Sequence, residues 1–197
     1  MANWYVEEGL RTRKDFGIAL AKWFVFSEAI QLRADMFGAE RPPCPRGCAG
    51  RVHRHGHYDR YSQPSGAETF SVYRFWCPQC GLTVSVLPID RLPYRPLEGE
   101  RVEAYFNEQA EDGTGPDPPP DVLEAGCLHR AWKRFQSRMA TLKEAFGLWI
   151  ATITNCAGAL WKQMRLAQGS LAGILHYLAQ TYKRSLLGDY QCLRLSG

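Results

Sequence analysis

Four cysteines in two Cys-Pro half-sites carry the most specific chemistry in this chain. The half-sites read CPRGC at 44–48 and CPQC at 77–80. A closely spaced pair of cysteines can be a redox dithiol, half of a metal site or half of a disulfide framework. The chain has seven cysteines, an odd number, so they cannot all pair as disulfides within one chain.

The residues around the second half-site favour a metal over a redox dithiol. A redox pair normally precedes a helix, whose N-terminus stabilises the thiolate, whereas the strand-like pattern GLTVSVLP follows Cys80. The 28 residues between Cys48 and Cys77 are enough for a long hairpin. Two cysteine pairs joined by a hairpin are typical of a zinc ribbon, in which four thiolates hold one tetrahedral Zn²⁺. We therefore predict one zinc ion, held by Cys44, Cys48, Cys77 and Cys80.

The ligand set and the role of the predicted zinc each allow an alternative. A histidine of the hairpin, His53, His55 or His57, can replace one sulfur, or all three can be surface positions on a strand. Four protein ligands leave no open position for water, which indicates a structural rather than a catalytic zinc.

The other three cysteines are predicted to be small buried apolar residues, and they are Cys127, Cys156 and Cys192.

The elements that must position the site follow from periodicity. Apolar residues at helical spacing predict a helix over 12–37. Enrichment in β-branched and aromatic residues predicts a strand over 69–76, and alternation predicts another over 82–87. A third strand is predicted over 52–61, interrupted at Gly56. Further helices are predicted over 98–110, from a cap at Asp121 to Phe146, over 148–167, and over 170–187 with Ser170 as cap. The fold class is α+β, a small antiparallel zinc ribbon flanked by an N-terminal helix and a C-terminal helical bundle.

The charge is distributed unevenly along four predicted regions. These are an N-terminal helical segment (1–40), the zinc ribbon (41–96), an acidic helix with a Pro-rich linker (97–126) and a basic helical region (127–197). Residues 96–126 carry nine acids against one arginine, whereas residues 127–187 carry nine Lys or Arg against one acid. Such asymmetry favours a polyanionic partner. The alternative is that these regions form solvated surfaces that happen to differ in charge.

Three segments of the ribbon together resemble a bacterial transposon-associated zinc-ribbon family. They read HGHYDR, YRFWCPQCGLTVSVLP and DRLPYR. The family pattern falls here on Gly56, Tyr58, Arg60, Arg74, Cys77, Cys80, Gly81, Leu87, Pro88, Pro93, Tyr94 and Arg95. Similar ribbons begin many insertion-sequence transposases, where a following helix-turn-helix binds the ends of the element. The resemblance therefore implies a zinc-dependent DNA-binding protein.

The predicted partner is nucleic acid, most simply double-stranded DNA. Arg130, Arg134 and Arg138 recur every four residues, which aligns them along one side of a helix, where phosphates can supply the missing anions. The full set of predicted contact residues is Arg54, Arg60, Arg74, Arg95, Arg130, Lys133, Arg134 and Arg138.

An adaptor that uses the ribbon and its apolar helices to bind proteins, or to self-associate, is the main alternative. No enzymatic activity is expected, because residues 127–197 hold only Glu144 and Asp189 as acids, too few for a two-metal nuclease. The first residues, MANWYVEEGL, lack the pattern of a secretory signal, so we expect a cytoplasmic protein. The uncharged stretch 145–161 predicts a buried helix rather than a membrane span.

Overall fold

A computed structural model describes residues 23–27, 41–88, 90–111, 113–147, 156–188 and 191–194. Its strands are β1 (Trp23–Ser27), β2 (His53–Tyr61), β3 (Thr69–Trp76), β4 (Thr83–Pro88) and β5 (Gln191–Arg194). Its helices are α1 (Gly99–Gln109), α2 (Val122–Ser137), α3 (Met139–Phe146), α4 (Ala157–Gln168) and α5 (Leu171–Tyr177), and a π-helical turn (Leu178–Tyr182) follows α5. Strands and helices are segregated along most of the chain, so the predicted α+β class is confirmed at that level.

The strands form one sheet in the order β2-β3-β4-β1-β5. Strands β2, β3 and β4 are an antiparallel meander, and they fall where strands were predicted over 52–61, 69–76 and 82–87. Strand β1 runs parallel to both β4 and β5. A β-bulge interrupts β2 between Arg54 and Gly56, where the glycine adopts φ +118°. That left-handed conformation is open to glycine and strained for other residues, which explains the break expected at this position.

The helix predicted over 12–37 is wrong where the structure describes this segment. Residues Trp23–Ser27 form a strand with hydrogen-bonded neighbours on both sides. Phe24 and Phe26 are buried. A short apolar run has the same appearance in a buried strand and in a buried helix, and the aromatic and β-branched residues here favour the strand. The remainder of 12–37 lies outside the described residues.

The meander separates two apolar clusters, because successive β3 side chains point to opposite faces. Val72 joins a large core that it shares with the helices and β1. Tyr73 and Phe75 join a smaller cluster that contains the cysteines of both half-sites. The sheet therefore holds the cysteines on one face and the helical layer on the other.

Aromatic side chains fill the centre of the helical layer. The ring of Phe106 on α1 lies 4.9 Å from Trp132, 5.4 Å from Phe135 and 5.1 Å from Trp161, between ring centroids. The indole nitrogen of Trp161 donates to the side-chain oxygen of Asn107 at 2.8 Å. The buried indole therefore keeps a hydrogen-bond partner while its ring packs in the core.

Both predicted helix caps are present. The carboxylate of Asp121 accepts from the Glu124 amide at 2.7 Å, and the hydroxyl of Ser170 accepts from the Gly173 amide at 3.1 Å. The helix predicted from Asp121 to Phe146 is nevertheless two helices, because Arg138 leaves helical geometry at φ −103° and ψ 4°. The predicted helix over 148–167 is described only from Ala157 onward, since 148–155 lie outside the described residues.

The Pro-rich linker is attached to both helices that flank it. The guanidinium of Arg101 on α1 donates from Nε to Glu124 on α2 at 2.7 Å, and from Nη1 to the carbonyl of Pro118 at 2.6 Å. One side chain thus joins α1, the linker and α2, and this fixes where α2 begins. No helix in the described part of the chain has the length and apolar composition needed to cross a membrane.

Candidate metal centre and basic surfaces

Two tight turns bring the cysteine half-sites together. In the first, the amide of Gly47 donates to the carbonyl of Cys44 at 2.9 Å. In the second, the amide of Gly81 donates to the carbonyl of Cys77 at 2.8 Å. Both glycines have positive φ, +69° and +71°, which a side chain would strain. Glycine at these two positions therefore lets each turn close around its sulfurs.

Cys44, Cys48, Cys77 and Cys80 form one group of sulfurs, here named the cysteine cluster. Their Sγ atoms all lie within 4.8 Å of one another, which is close enough to hold a metal ion. The Sγ atoms of Cys44 and Cys80 are 3.5 Å apart. Cys44 and Cys77 are buried, whereas Cys48 and Cys80 are half-buried. The sequence prediction that these four residues come together is confirmed.

The electrostatics of the cysteine cluster favour a bound cation. The backbone amide of Cys80 donates to the Cys77 sulfur and lowers the pKa of Cys77 to about 7. The neighbouring Cys44 thiol raises the pKa of Cys48 to about 12, and burial raises the pKa of Cys80. One thiolate is stabilised, while further negative charge is opposed by crowding and burial. A divalent cation would offset that opposition, because bound thiolates are deprotonated.

The hairpin histidines lie outside this cluster. Within the described part of the chain, the four cysteines are the one group of Cys, His, Asp and Glu close enough to hold a metal ion. His53, His55 and His57 are exposed on β2. The alternative in which a histidine replaces a sulfur is therefore not the observed arrangement.

The other cysteines differ from the prediction that they are buried. Cys156 is exposed and begins α4, where hydrogen bonds from the amides of Ala159 and Gly158 lower its pKa. Cys127 is half-buried, and its sulfur accepts from the Arg130 guanidinium at 3.0 Å. Cys156 lies at the N-cap of α4, a position that the sequence pattern did not predict. The side chain of Cys192 lies outside what the structure describes.

The predicted arginines of the sheet region have different surroundings. Arg54 is exposed, and its guanidinium carbon lies 5.3 Å from the centre of the Tyr73 ring. Arg60 is half-buried over the rings of Phe70 and Tyr94, at 5.8 Å and 6.0 Å. Arg74 and Arg95 are also half-buried. Of these four residues, Arg54 is therefore the one best placed to meet a large partner.

Helix α2 presents a cationic exposed face. Arg130, Lys133 and Arg134 are exposed and are here named the α2 basic surface. Leu128, Trp132 and Phe135 on the opposite side are buried, as the apolar stripe predicted. The acid of the first turn, Glu124, is paired with Arg101 on α1. The α2 basic surface therefore faces solvent without a carboxylate of its own helix beside it.

Arg138 does not belong to that surface. It is half-buried at the break between α2 and α3, and its Nη2 donates to the carbonyl of Ser185 at 3.4 Å. The predicted row of three arginines at four-residue spacing is therefore shortened to two, because the helix ends before the third. Lys133 supplies the third exposed cation instead.

Comparisons with known proteins provide no family assignment. Neither the family models nor the curated proteins nor the solved structures give a match to this chain. The interpretation of the site therefore depends on its residues and their geometry.

Proposed function

We propose that this chain is a zinc-dependent nucleic-acid-binding protein of a bacterial mobile element, or a regulator derived from one, and that it binds without cutting. The carrying observation is the α2 basic surface, three exposed cations on a helix whose other face is buried. The cysteine cluster supports the proposal because it lies on the sheet that carries Arg54, a further exposed cation.

Zinc is the metal that best fits the cysteine cluster. Tetrahedral Zn–S bonds of about 2.3 Å place sulfur atoms about 3.8 Å apart. The 3.5 Å separation of the Cys44 and Cys80 sulfurs is close to that spacing. An all-thiolate set is soft, and it selects zinc over magnesium or calcium. A zinc ion bound there would cross-link the two turns and would leave no coordination position for a substrate.

Double-stranded DNA suits the α2 basic surface. A single exposed helix face fits the major groove, whose width admits an α-helix. Cations on such a helix neutralise phosphates and fix its orientation, while base contacts supply any sequence preference. Arg130 and Arg134, one turn apart, lie on the same side of α2 and can follow one strand of the duplex.

An adaptor function is the second candidate, and exposed apolar residues favour it. Val122 and Leu123 at the start of α2 are 90% and 62% exposed, and Leu166 on α4 is 89% exposed. Exposed apolar side chains can mark a protein-binding surface when they are contiguous. An adaptor would copurify with a protein and would leave a heparin column at low salt, whereas a DNA binder would be retained.

The α2 basic surface is tested by replacing Arg130, Lys133 and Arg134 together with Gln. Each phosphate contact contributes about −0.9 to the slope of log K against log salt concentration, so the triple variant should flatten that slope by about two to three units. Binding to a duplex is measured by fluorescence anisotropy at several salt concentrations.

A matched control removes the same charge elsewhere. Lys162, Lys183 and Arg184 are exposed and lie C-terminal to α3, and their replacement by Gln lowers the net charge equally. The control should retain most of the salt dependence. Equal losses in the two triple variants would show that overall charge, rather than the α2 basic surface, determines binding, and would contradict the proposal.

A further inference from the structure

One face of the sheet carries an aromatic ring and a guanidinium group that the helical layer leaves accessible. Alternation along β3 places Val72, Arg74 and Trp76 on the face opposite to the cysteine cluster. Val72 is buried under the helical layer, whereas Arg74 is half-buried and Trp76 is 38% exposed. The helical layer therefore ends before the end of β3 that leads into the second cysteine turn.

Tyr94 brings a second exposed ring to the same face. Its ring packs edge-on against Phe24, at 5.1 Å between centroids, and the guanidinium carbon of Arg60 lies 6.0 Å from its centre. Tyr94 is 44% exposed. The strand register aligns one row across this face, formed by Phe24, Ser85, Arg74 and Gly56. The residues Trp76, Arg74, Tyr94 and Arg60 are here named the aromatic–arginine face.

The guanidinium of Arg74 has no carboxylate to balance it. None of the ion pairs among the described residues includes Arg74. Strands β3 and β4 contain no Asp or Glu, and Asp59, the one acid of β2, points to the opposite face. Asp90 and Glu98, which follow β4, are ion-paired with Arg91. An anion from outside the chain is therefore the natural partner of this face.

The negative charge of the metal centre does not change this balance. Four thiolates around one Zn²⁺ carry a net negative charge, but the cysteine cluster lies with Tyr73 and Phe75 on the other face of the sheet. The nearby cation Arg54 lies on that other face as well, over the Tyr73 ring. The aromatic–arginine face is therefore separate from the metal centre and from the exposed cation beside it.

Exposed rings next to recessed cations suit a flexible strand better than a rigid duplex. Unpaired bases stack on aromatic side chains with little dependence on sequence, because every base has a π-face. A single-stranded backbone can bend so that its phosphates reach half-buried guanidinium groups. Arg74 and Trp76 are two residues apart on β3, about 7 Å along the strand, which is about the length of two nucleotides.

We propose that the aromatic–arginine face binds single-stranded nucleic acid, with bases stacked on Trp76 and Tyr94 and phosphates held by Arg74 and Arg60. This inference goes beyond the proposed function, because the face is separate from the α2 basic surface and takes an unpaired strand. The metal centre helps to position it, since Cys77 directly follows Trp76 and belongs to the cysteine cluster.

The test compares a labelled oligothymidylate with a duplex, each titrated with the full zinc-loaded chain at fixed salt and followed by fluorescence anisotropy. Loss of one stacking ring weakens single-strand binding by about tenfold, so Trp76→Ala and Tyr94→Ala should each show that loss. Both variants should keep their duplex affinity within about twofold. Trp76→Phe keeps a ring and should recover most of the loss. A fluorescent purine analogue within the single strand should be quenched on binding to the wild-type chain.

Tyr61→Ala is the matched control. Tyr61 is 43% exposed, but its side chain lies on the opposite face of β2 from Arg60. Its replacement should change single-strand affinity by about twofold or less. Zinc content reports whether each variant is folded. Arg74→Gln should flatten the salt slope for the single strand by about 0.7, and it decides the question if Trp76→Ala loses zinc.

The outcomes separate this inference from the proposed function. Duplex binding without binding to the oligothymidylate would overturn the inference and leave the proposed function standing. Equal losses in Trp76→Ala and Tyr61→Ala, or an unchanged affinity in zinc-loaded Trp76→Ala protein, would overturn it in the same way. Ring-dependent binding of the single strand without duplex binding would support the inference and contradict the role of the α2 basic surface. Absence of binding to both probes would overturn both.

Discussion

Replacing Cys77 with Ser is expected to abolish stoichiometric metal binding and to destabilise the β2–β3–β4 meander. Cys77 is fully buried within the small apolar cluster, and its sulfur is the one whose thiolate is best stabilised. That cluster holds few apolar side chains besides the cysteines. Structural zinc in small sites contributes on the order of 10 kcal/mol to folding, which such a small core cannot replace. Metal analysis and hydrogen exchange of the meander amides measure the two effects.

The matched control is Cys156→Ser, which removes a thiol outside the cysteine cluster. Cys156 is exposed at the start of α4, so its loss should leave about one zinc ion per chain and normal protection of the meander. Full zinc content in the Cys77→Ser protein, or a Cys77–Cys80 disulfide in freshly reduced wild-type protein, would refute the metal centre.

Truncating Phe106 to Ala is expected to produce the largest loss of stability in the helical layer. The side chain is fully buried, and its ring contacts Trp132, Phe135 and Trp161. Removing a large buried aromatic side chain costs about 3–5 kcal/mol, because apolar contacts are lost and a cavity remains. Urea denaturation followed by tryptophan fluorescence measures the change, since two of its three partners are indoles.

Leu166→Ala is the control for this truncation. Leu166 is 89% exposed on α4, so its replacement should change stability by no more than about 0.5 kcal/mol. Phe106 lies in the core on the opposite face of the sheet from the cysteine cluster, so the Phe106→Ala protein should still bind zinc while folded. A loss below about 1 kcal/mol for Phe106→Ala would show that α1 does not pack as described.

Local signals in the sequence were sufficient for the meander and the helix caps. Thr69–Trp76 was predicted with both of its bounds correct, because enrichment in β-branched and aromatic residues is a local property of a strand. Asp121 and Ser170 were identified as caps because the capping hydrogen bond spans only three residues. Strand β1 was missed because its pairing with β4 and β5 joins distant parts of the chain.

The candidate site was predictable to the extent that it depends on spacing. Two cysteine pairs on one hairpin converge, and the structure brings all four sulfurs together. The partial burial of Arg138 was not predictable in the same way, because its contact with the Ser185 carbonyl depends on how distant elements pack. The histidines of β2 were predicted either to supply a metal ligand or to be surface positions on a strand, and the structure exposes all three.

Titration of the zinc-loaded chain with duplex DNA at two salt concentrations tests the central claim most directly. If Arg54 and each of the three cations of the α2 basic surface contact one phosphate, the four contacts give a slope of log K against log salt of about −3 to −4. Affinity should then fall roughly 100-fold between about 50 mM and about 200 mM salt. Binding that is absent at low salt, or that does not change with salt, would contradict a nucleic-acid-binding function.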